Sequence, residues 1–166
     1  KLRIIILEYN ENDAWLIIRN LQKAGFDFDY ERLETANDFE QAIDSSGWDI
    51  VLSDYNIPGF GGGQALEILK RKRLDIPFVL ISGTIGEEAA VAIMKAGASD
   101  YLMKDNLSRL GEVIKRELEE HKNRKEKRQL QHQSEKLSKI IESSKEIIIV
   151  FDDSEQIKYC NQSADN

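Results

Sequence analysis

The chain holds a single cysteine, Cys160, so it can form no internal disulfide, and no second thiol or histidine cluster stands near it at metal-ligand spacing. Cys160 therefore reads as a small buried or half-buried side chain. Long apolar runs are also missing: Ile4–Leu7 and Ile147–Phe151 fall far short of the roughly 20 residues a membrane-spanning helix needs. Nor is there a basic excess. Thirty Asp and Glu against 23 Lys and Arg give a formal charge of -7, which repels nucleic-acid phosphates, and no basic helix-turn-helix pattern offsets it. These absences predict a soluble cytoplasmic regulator or enzyme with no membrane or nucleic-acid partner in these residues.

What is present fits one ordinary core plus an appendage, since 166 residues are too few to bury two full cores. The sequence starts at Lys1 without an initiator Met or a signal-peptide pattern and stops at Asn166 inside an apparent folding unit, so it reads as a piece of a longer protein. Short apolar runs alternate with amphipathic stretches: Leu2 to Leu7, then a helix from about Asn12 to Ala24 that Gly25 ends. The pattern repeats through Phe28–Leu33 and Asn37–Ser45, Ile50–Ser53 and Gln64–Lys72, Phe78–Ser82 and Glu87–Ala96, and Asp100–Met103 with a final helix. Five βα units predict a parallel sheet covered by helices on both faces. Ligands bind such sheets at the carboxyl ends of the strands, where strand order reverses.

From Asn106 to about Ser143 a helical pattern runs without proline, with Gly111 as a weak point, and would reach on the order of 55 Å. Lys115–Arg128 carries seven basic and four acidic residues, the signature of a solvated helix. Leu130, Ser134, Leu137 and Ile141 then return to a 4-3-4 spacing, predicting a short parallel coiled coil. Ile147–Phe151 and Ile157–Cys160, separated by an Asp152–Glu155 turn, read as a β-hairpin that belongs to a further domain. The expected organisation is a domain at 1–121, a helix at 106–143 extending its last element as a linker, and the start of another domain at 144–166.

Four polar residues fall at four strand ends. Asp54 follows an apolar strand, and a carboxylate there can attack phosphorus if a divalent cation offsets the charge repulsion. Alone it would be an ordinary turn residue. Glu8 ends the first strand as a natural Mg²⁺ ligand or a solubilising charge, Ser82 ends the fourth as a phosphoryl hydrogen-bond donor or a loop cap, and Lys104 ends the fifth as a phosphoryl-binding or plain surface lysine. Together they make a phosphoryl-transfer site.

The segments Asp54-Tyr55-Asn56-Ile57-Pro58-Gly59, Ile81-Ser82-Gly83-Thr84-Ile85-Gly86-Glu87-Glu88 and Lys95-Ala96-Gly97-Ala98-Ser99-Asp100-Tyr101-Leu102-Met103-Lys104-Asp105 resemble the receiver domains of two-component response regulators, over about residues 2 to 120. The resemblance implies a flavodoxin-like (βα)₅ fold and a phosphorelay role rather than a turnover enzyme. It further implies Asp54 as phosphoacceptor from a histidine kinase or phosphotransfer protein, and Ser82 and Lys104 as phosphoryl contacts. Mg²⁺ would be held by Glu8, Asp54 and the Asn56 carbonyl, with Tyr101 as the aromatic switch that follows Ser82. One position departs from the family. Tyr9 stands where a direct metal-binding aspartate belongs, and a neutral phenol is a poor ligand for a hard cation. That predicts weakened Mg²⁺ binding, and in the limit a pseudo-receiver acting as an interaction module. Glu11 and Asp13 could restore a carboxylate, but both lie in or beside the first helix, which leaves their reach open. An aspartyl-nucleophile phosphohydrolase would need a second aspartate at position 56, which is Asn56.

Ile140–Asp152 and Ile157–Asn161 resemble the opening of a PAS sensory domain, where a helix leads into the first two strands. This resemblance implies a receiver joined to PAS through a signalling helix, with pairing of two copies through that helix. Gly59, Gly61, Gly62 and Gly63 match neither dinucleotide nor P-loop spacing and read as a relaxed turn before a helix at Gln64. His121 and His132 read as surface histidines, and Trp15 and Trp48 as packing anchors.

Overall fold

The computed structural model describes residues 1–45, 47–83, 86–144 and 146–161. Thr84 and Ile85 of the second receiver-like motif, Lys145 of the PAS-like segment and positions 162–166 lie outside the described residues. The chain divides into two compact units, Lys1–His121 and Lys122–Asn166.

In the first unit β1 (Leu2–Leu7), β2 (Phe28–Leu33), β3 (Ile50–Asp54), β4 (Phe78–Ser82) and β5 (Asp100–Met103) alternate with α1 (Glu11–Lys23), α2 (Ala36–Asp44), α3 (Gly62–Arg71) and α4 (Glu87–Lys95). A 3₁₀ turn, Lys104–Arg109, leads into α5 (Leu110–Glu142). The strands pair in parallel in the order β2-β1-β3-β4-β5, the flavodoxin-like arrangement expected. Order reverses between β1 and β3, so the carboxyl ends of these two strands flank the position where such sheets bind ligands.

Period-two alternation divides the core between the faces of the sheet. Ile5, Leu7, Val51, Phe78 and Leu80 face one way and pack with Phe39 of α2 and Leu66 and Leu69 of α3. Ile4, Ile6, Leu52, Val79 and Ile81 face the other way and pack with Ile17 and Leu21 of α1 and Val113 and Ile114 of α5. Each such side chain, fully withdrawn from water, contributes about 1.5–3 kcal/mol. The helices are amphipathic because only one stripe of each meets the sheet: in α1 this is Ala14, Ile17 and Leu21.

Several expectations need correction. Gly62 and Gly63 belong to α3 rather than to the turn before it. A Cβ at Gly62 would stand 2.6 Å from Leu80 Cδ1 and 2.9 Å from the Asp54 carbonyl oxygen, so this glycine lets α3 lie close against the sheet. The last helix starts at Leu110, not Asn106, because Asn106 takes a non-helical backbone inside the 3₁₀ turn. Gly111 is a point of contact rather than weakness: a Cβ there would meet Ala24 Cβ at 2.6 Å, where α5 crosses the end of α1. Trp15 is exposed rather than buried, with the Arg19 guanidinium over its ring. Trp48 does pack, donating its indole N–H to the Ala42 carbonyl oxygen. His121 is not a free surface histidine: its Nδ1 is buried and lies 3.7 Å from Asp75.

In the second unit, β6 (Ile149–Phe151) and β7 (Ile157–Cys160) form an antiparallel hairpin. Asp152 shapes its turn, with Oδ1 accepting from the Ser154 and Gln156 N–H groups. Asn161 is buried and ties the hairpin to the end of α5, donating from Nδ2 to the Ile141 and Glu146 carbonyls and accepting the Ile148 N–H. Cys160 is exposed, contrary to expectation, because no further layer covers the hairpin among the described residues. Ile147, Phe151 and Ile157 are exposed for the same reason. No described helix is long and apolar enough to cross a membrane.

Candidate functional site

Glu8, Asp54, Ser82 and Lys104 come together at the carboxyl rim of the sheet, each at or one residue past a strand end. The Lys104 ammonium is the hub. Its Nζ lies 2.6 Å from Glu8 Oε2, 2.6 Å from Asp13 Oδ2 and 3.1 Å from Asp54 Oδ2. Burial opposes a charge on Lys104, but hydrogen bonds to Asp13, then Glu8 and Asp54, outweigh it and hold the ammonium above its usual pKa range. Burial also raises the Glu8 carboxyl, which is fully enclosed, and the Lys104 contact offsets that only in part.

Asp54 is buried at 5% exposure, so a reactant reaches only the edge of its carboxylate. Ser82 is 1% exposed and its Oγ has no hydrogen-bond partner among the described residues. A buried hydroxyl left this way costs about 1–3 kcal/mol, which a ligand oxygen at the rim would recover. Asn56 is exposed two residues beyond Asp54. Tyr101 is half-buried at the edge of the sheet, its hydroxyl on the Met103 sulfur.

The β1–α1 connection explains how the acidic side chains are aimed. Asn10 caps α1, its Oδ1 accepting from the Asn12 and Asp13 N–H groups at 2.9 and 3.3 Å, while its own N–H donates to Glu8 Oε1 at 2.9 Å. Arg32 of β2 donates from Nη1 to the Glu8 and Tyr9 carbonyls at 3.1 and 3.3 Å. Tyr9 is 47% exposed, and its hydroxyl makes no hydrogen bond among the described residues. Glu11 faces Arg32 at 3.6 Å and stays outside the site, whereas Asp13 enters it. Asn10 and Arg32 were not singled out from the sequence, although Asn10 directly before a helix carries a readable capping signal. Arg32 gives no local signal, since its partners arrive through the sheet.

No group of three or more Asp, Glu, His or Cys side chains forms a ready-made metal cage among the described residues. The carboxylates converge instead on an ammonium. Such an arrangement keeps a cationic group at the rim and sets the buried Asp54 carboxylate beside it, a carboxylate that can act as a nucleophile.

Comparison with known proteins agrees with the fold. A family model described as the response regulator receiver domain matches residues 4–115. The phosphate regulon transcriptional regulatory protein PhoB of Klebsiella pneumoniae is 31% identical over 107 residues, covering 61% of this chain and 44% of that protein. The DNA-binding transcriptional regulator NtrC of the same organism is 28% identical over 99 residues, covering 60% of this chain and 21% of its own length. The chain thus spans less than half of these curated relatives. Among solved structures, a CheY-like response regulator receiver domain protein from Methanospirillum hungatei matches with a TM-score of 0.65 and 26% identity, covering 74% of this chain and 98% of that one. The signal receiver domain of a Luxo repressor protein from Vibrio parahaemolyticus shares the fold at a TM-score of 0.68 and 21% identity, covering 75% and 95%.

Proposed function

The chain belongs to the response regulator receiver domain family, and on that premise we propose that it accepts a phosphoryl group on Asp54 from a phosphohistidine of a histidine kinase or phosphotransfer protein. One observation carries this reading: the buried Asp54 carboxylate lies 3.1 Å from the Lys104 ammonium, and the Ser82 hydroxyl on the adjoining strand end has no hydrogen-bond partner among the described residues. In the transfer, an Asp54 oxygen forms a bond to phosphorus as the P–N bond breaks, and the bonding pair leaves with the imidazole nitrogen, which takes up a proton. Lys104 would hold one phosphoryl oxygen and Ser82 would donate to another. Drawing Ser82 toward the phosphoryl group would free space at the sheet edge for the Tyr101 ring to follow.

The donor set suits Mg²⁺: Glu8, Asp54 and the Asn56 carbonyl offer hard oxygens only. Lack of a preformed cage does not oppose this, because Mg²⁺ keeps several waters and binds through one or two carboxylates. When bound, the cation would spread the charge of the transferred group.

The reading extends to the second unit. The charged α5 would act as a signalling helix, Leu130, Ser134, Leu137 and Ile141 would pair two copies of the chain, and the hairpin would open a PAS domain. The exposed Leu130 and Leu137 support that pairing, and the exposed hairpin residues support a further layer. The whole would work in the cytoplasm as part of a two-component system.

Tyr9 supports a second reading, a pseudo-receiver that binds partners without being phosphorylated. Intact mass after incubation with Mg²⁺ and acetyl phosphate separates the two. A gain of one phosphoryl group in the parent, lost in Asp54→Asn, is expected. No gain in the parent with recovery in Tyr9→Asp would establish the pseudo-receiver instead, and no gain in either would remove Asp54 as acceptor.

A further inference from the structure

Asp13 has no part in the receiver reading as it stands, yet it touches the hub of the site. Its Oδ2 is as near to Lys104 Nζ as Glu8 is, at 2.6 Å, and nearer than Asp54 at 3.1 Å. The fold imposes this position. Asp13 shares the helix face of Ile17 and Leu21, four and eight residues on, and those side chains are anchored against the sheet. Asn10 then joins Asp13 to Glu8, accepting the N–H of one and donating its own to the carboxylate of the other. Meanwhile Arg32 holds the Tyr9 carbonyl at 3.3 Å and Tyr9 remains largely in solvent.

We propose that Asp13 supplies, from the first turn of α1, the divalent-cation-binding carboxylate that Tyr9 does not provide. This inference rests on the receiver reading of the site and reverses the handicap Tyr9 would otherwise impose. The charge balance supports it. Three carboxylates against one ammonium leave an excess of two negative charges when ionised, the charge a divalent cation neutralises, and removing Asp13 halves that excess. The buried Ser82 hydroxyl on the same rim, without a hydrogen-bond partner among the described residues, is a second sign that the site is completed by a ligand. Glu11, exposed and facing Arg32, has no such role.

The test is Mn²⁺ binding to the full chain, followed by loss of the free aqua-ion electron paramagnetic resonance signal, with Mn²⁺ standing for Mg²⁺ as a hard cation. Asp13→Asn should weaken binding roughly tenfold or more, and adding Tyr9→Asp to it should restore most of the loss. Glu11→Gln should bind as the parent does. Unchanged binding in Asp13→Asn would overturn the proposal while leaving phosphorylation of Asp54 standing. A double variant no tighter than Asp13→Asn would overturn it too, because the loss would then reflect a displaced Lys104 rather than a missing ligand. A parent that binds no Mn²⁺ would also overturn it, even if acetyl phosphate still modifies Asp54.

Discussion

Asp13 and Lys104, 91 positions apart in the chain, meet at 2.6 Å across the rim of the sheet. The contact ties the first turn of α1 to the end of β5, so the lysine that ends the last strand is oriented from the opposite side of the switch point. Glu8 and Asp54 complete the arrangement from β1 and β3. Lys104 is 19% exposed, so these pairs are screened less than surface ion pairs. A cation that enters must compete with the lysine for the carboxylate oxygens, and an anion must compete with the carboxylates for the lysine.

Asn10→Ala removes the acceptor of the Asn12 and Asp13 N–H groups at the start of α1. Urea unfolding should show a loss of about 0.5–2 kcal/mol, typical of a lost N-cap. If the cap also aims Asp13, Mn²⁺ binding should weaken in the same variant while Glu8, whose contact is to the Asn10 backbone, stays in place.

Gly62→Ala places a methyl group 2.6 Å from Leu80 and 2.9 Å from the Asp54 carbonyl. Either α3 or the end of β3 must move, at a cost of about 1–3 kcal/mol by chemical denaturation. Where the end of β3 yields, Asp54 is displaced with it and its rate of phosphorylation should fall, whereas the same change at Gly63, inside α3 with only Ile93 Cδ1 at 4.0 Å from an added Cβ, should not destabilise the chain.

Asn161→Ala deletes three hydrogen bonds that join the hairpin to the end of α5. Amide exchange at Ile148, whose N–H loses its acceptor, should accelerate strongly, and protection in β6 and β7 should fall with it, because a two-stranded ribbon has little stability of its own. Exchange in β1 to β5 should not change. Equal protection in parent and variant would show that the hairpin is held by something other than this amide.

The alternation of apolar runs with amphipathic stretches was enough to find all five strands of the parallel sheet, because a two-face burial requirement is written directly in the residue pattern. The strand-end positions of Glu8, Asp54, Ser82 and Lys104 followed from the same pattern. Helix starts were less legible. Gly62 looks like loop by propensity, yet the sheet needs a residue without a side chain there, and Asn106 looks helical, yet the chain turns in a 3₁₀ segment first. Trp15 carried an apolar signature but falls on the solvent face of α1, since one helix can bury only one stripe.

The sequence by itself determined the fold class and which residues end the strands, because both depend on periodicity along the chain. Only the tertiary structure decided that Asp13 rather than Glu11 enters the site and that Tyr9 stays largely outside it. Those outcomes depend on how α1 is rotated by Ile17 and Leu21 against the sheet and on where Arg32 of β2 grips the Glu8–Tyr9 backbone, distances that no local pattern encodes.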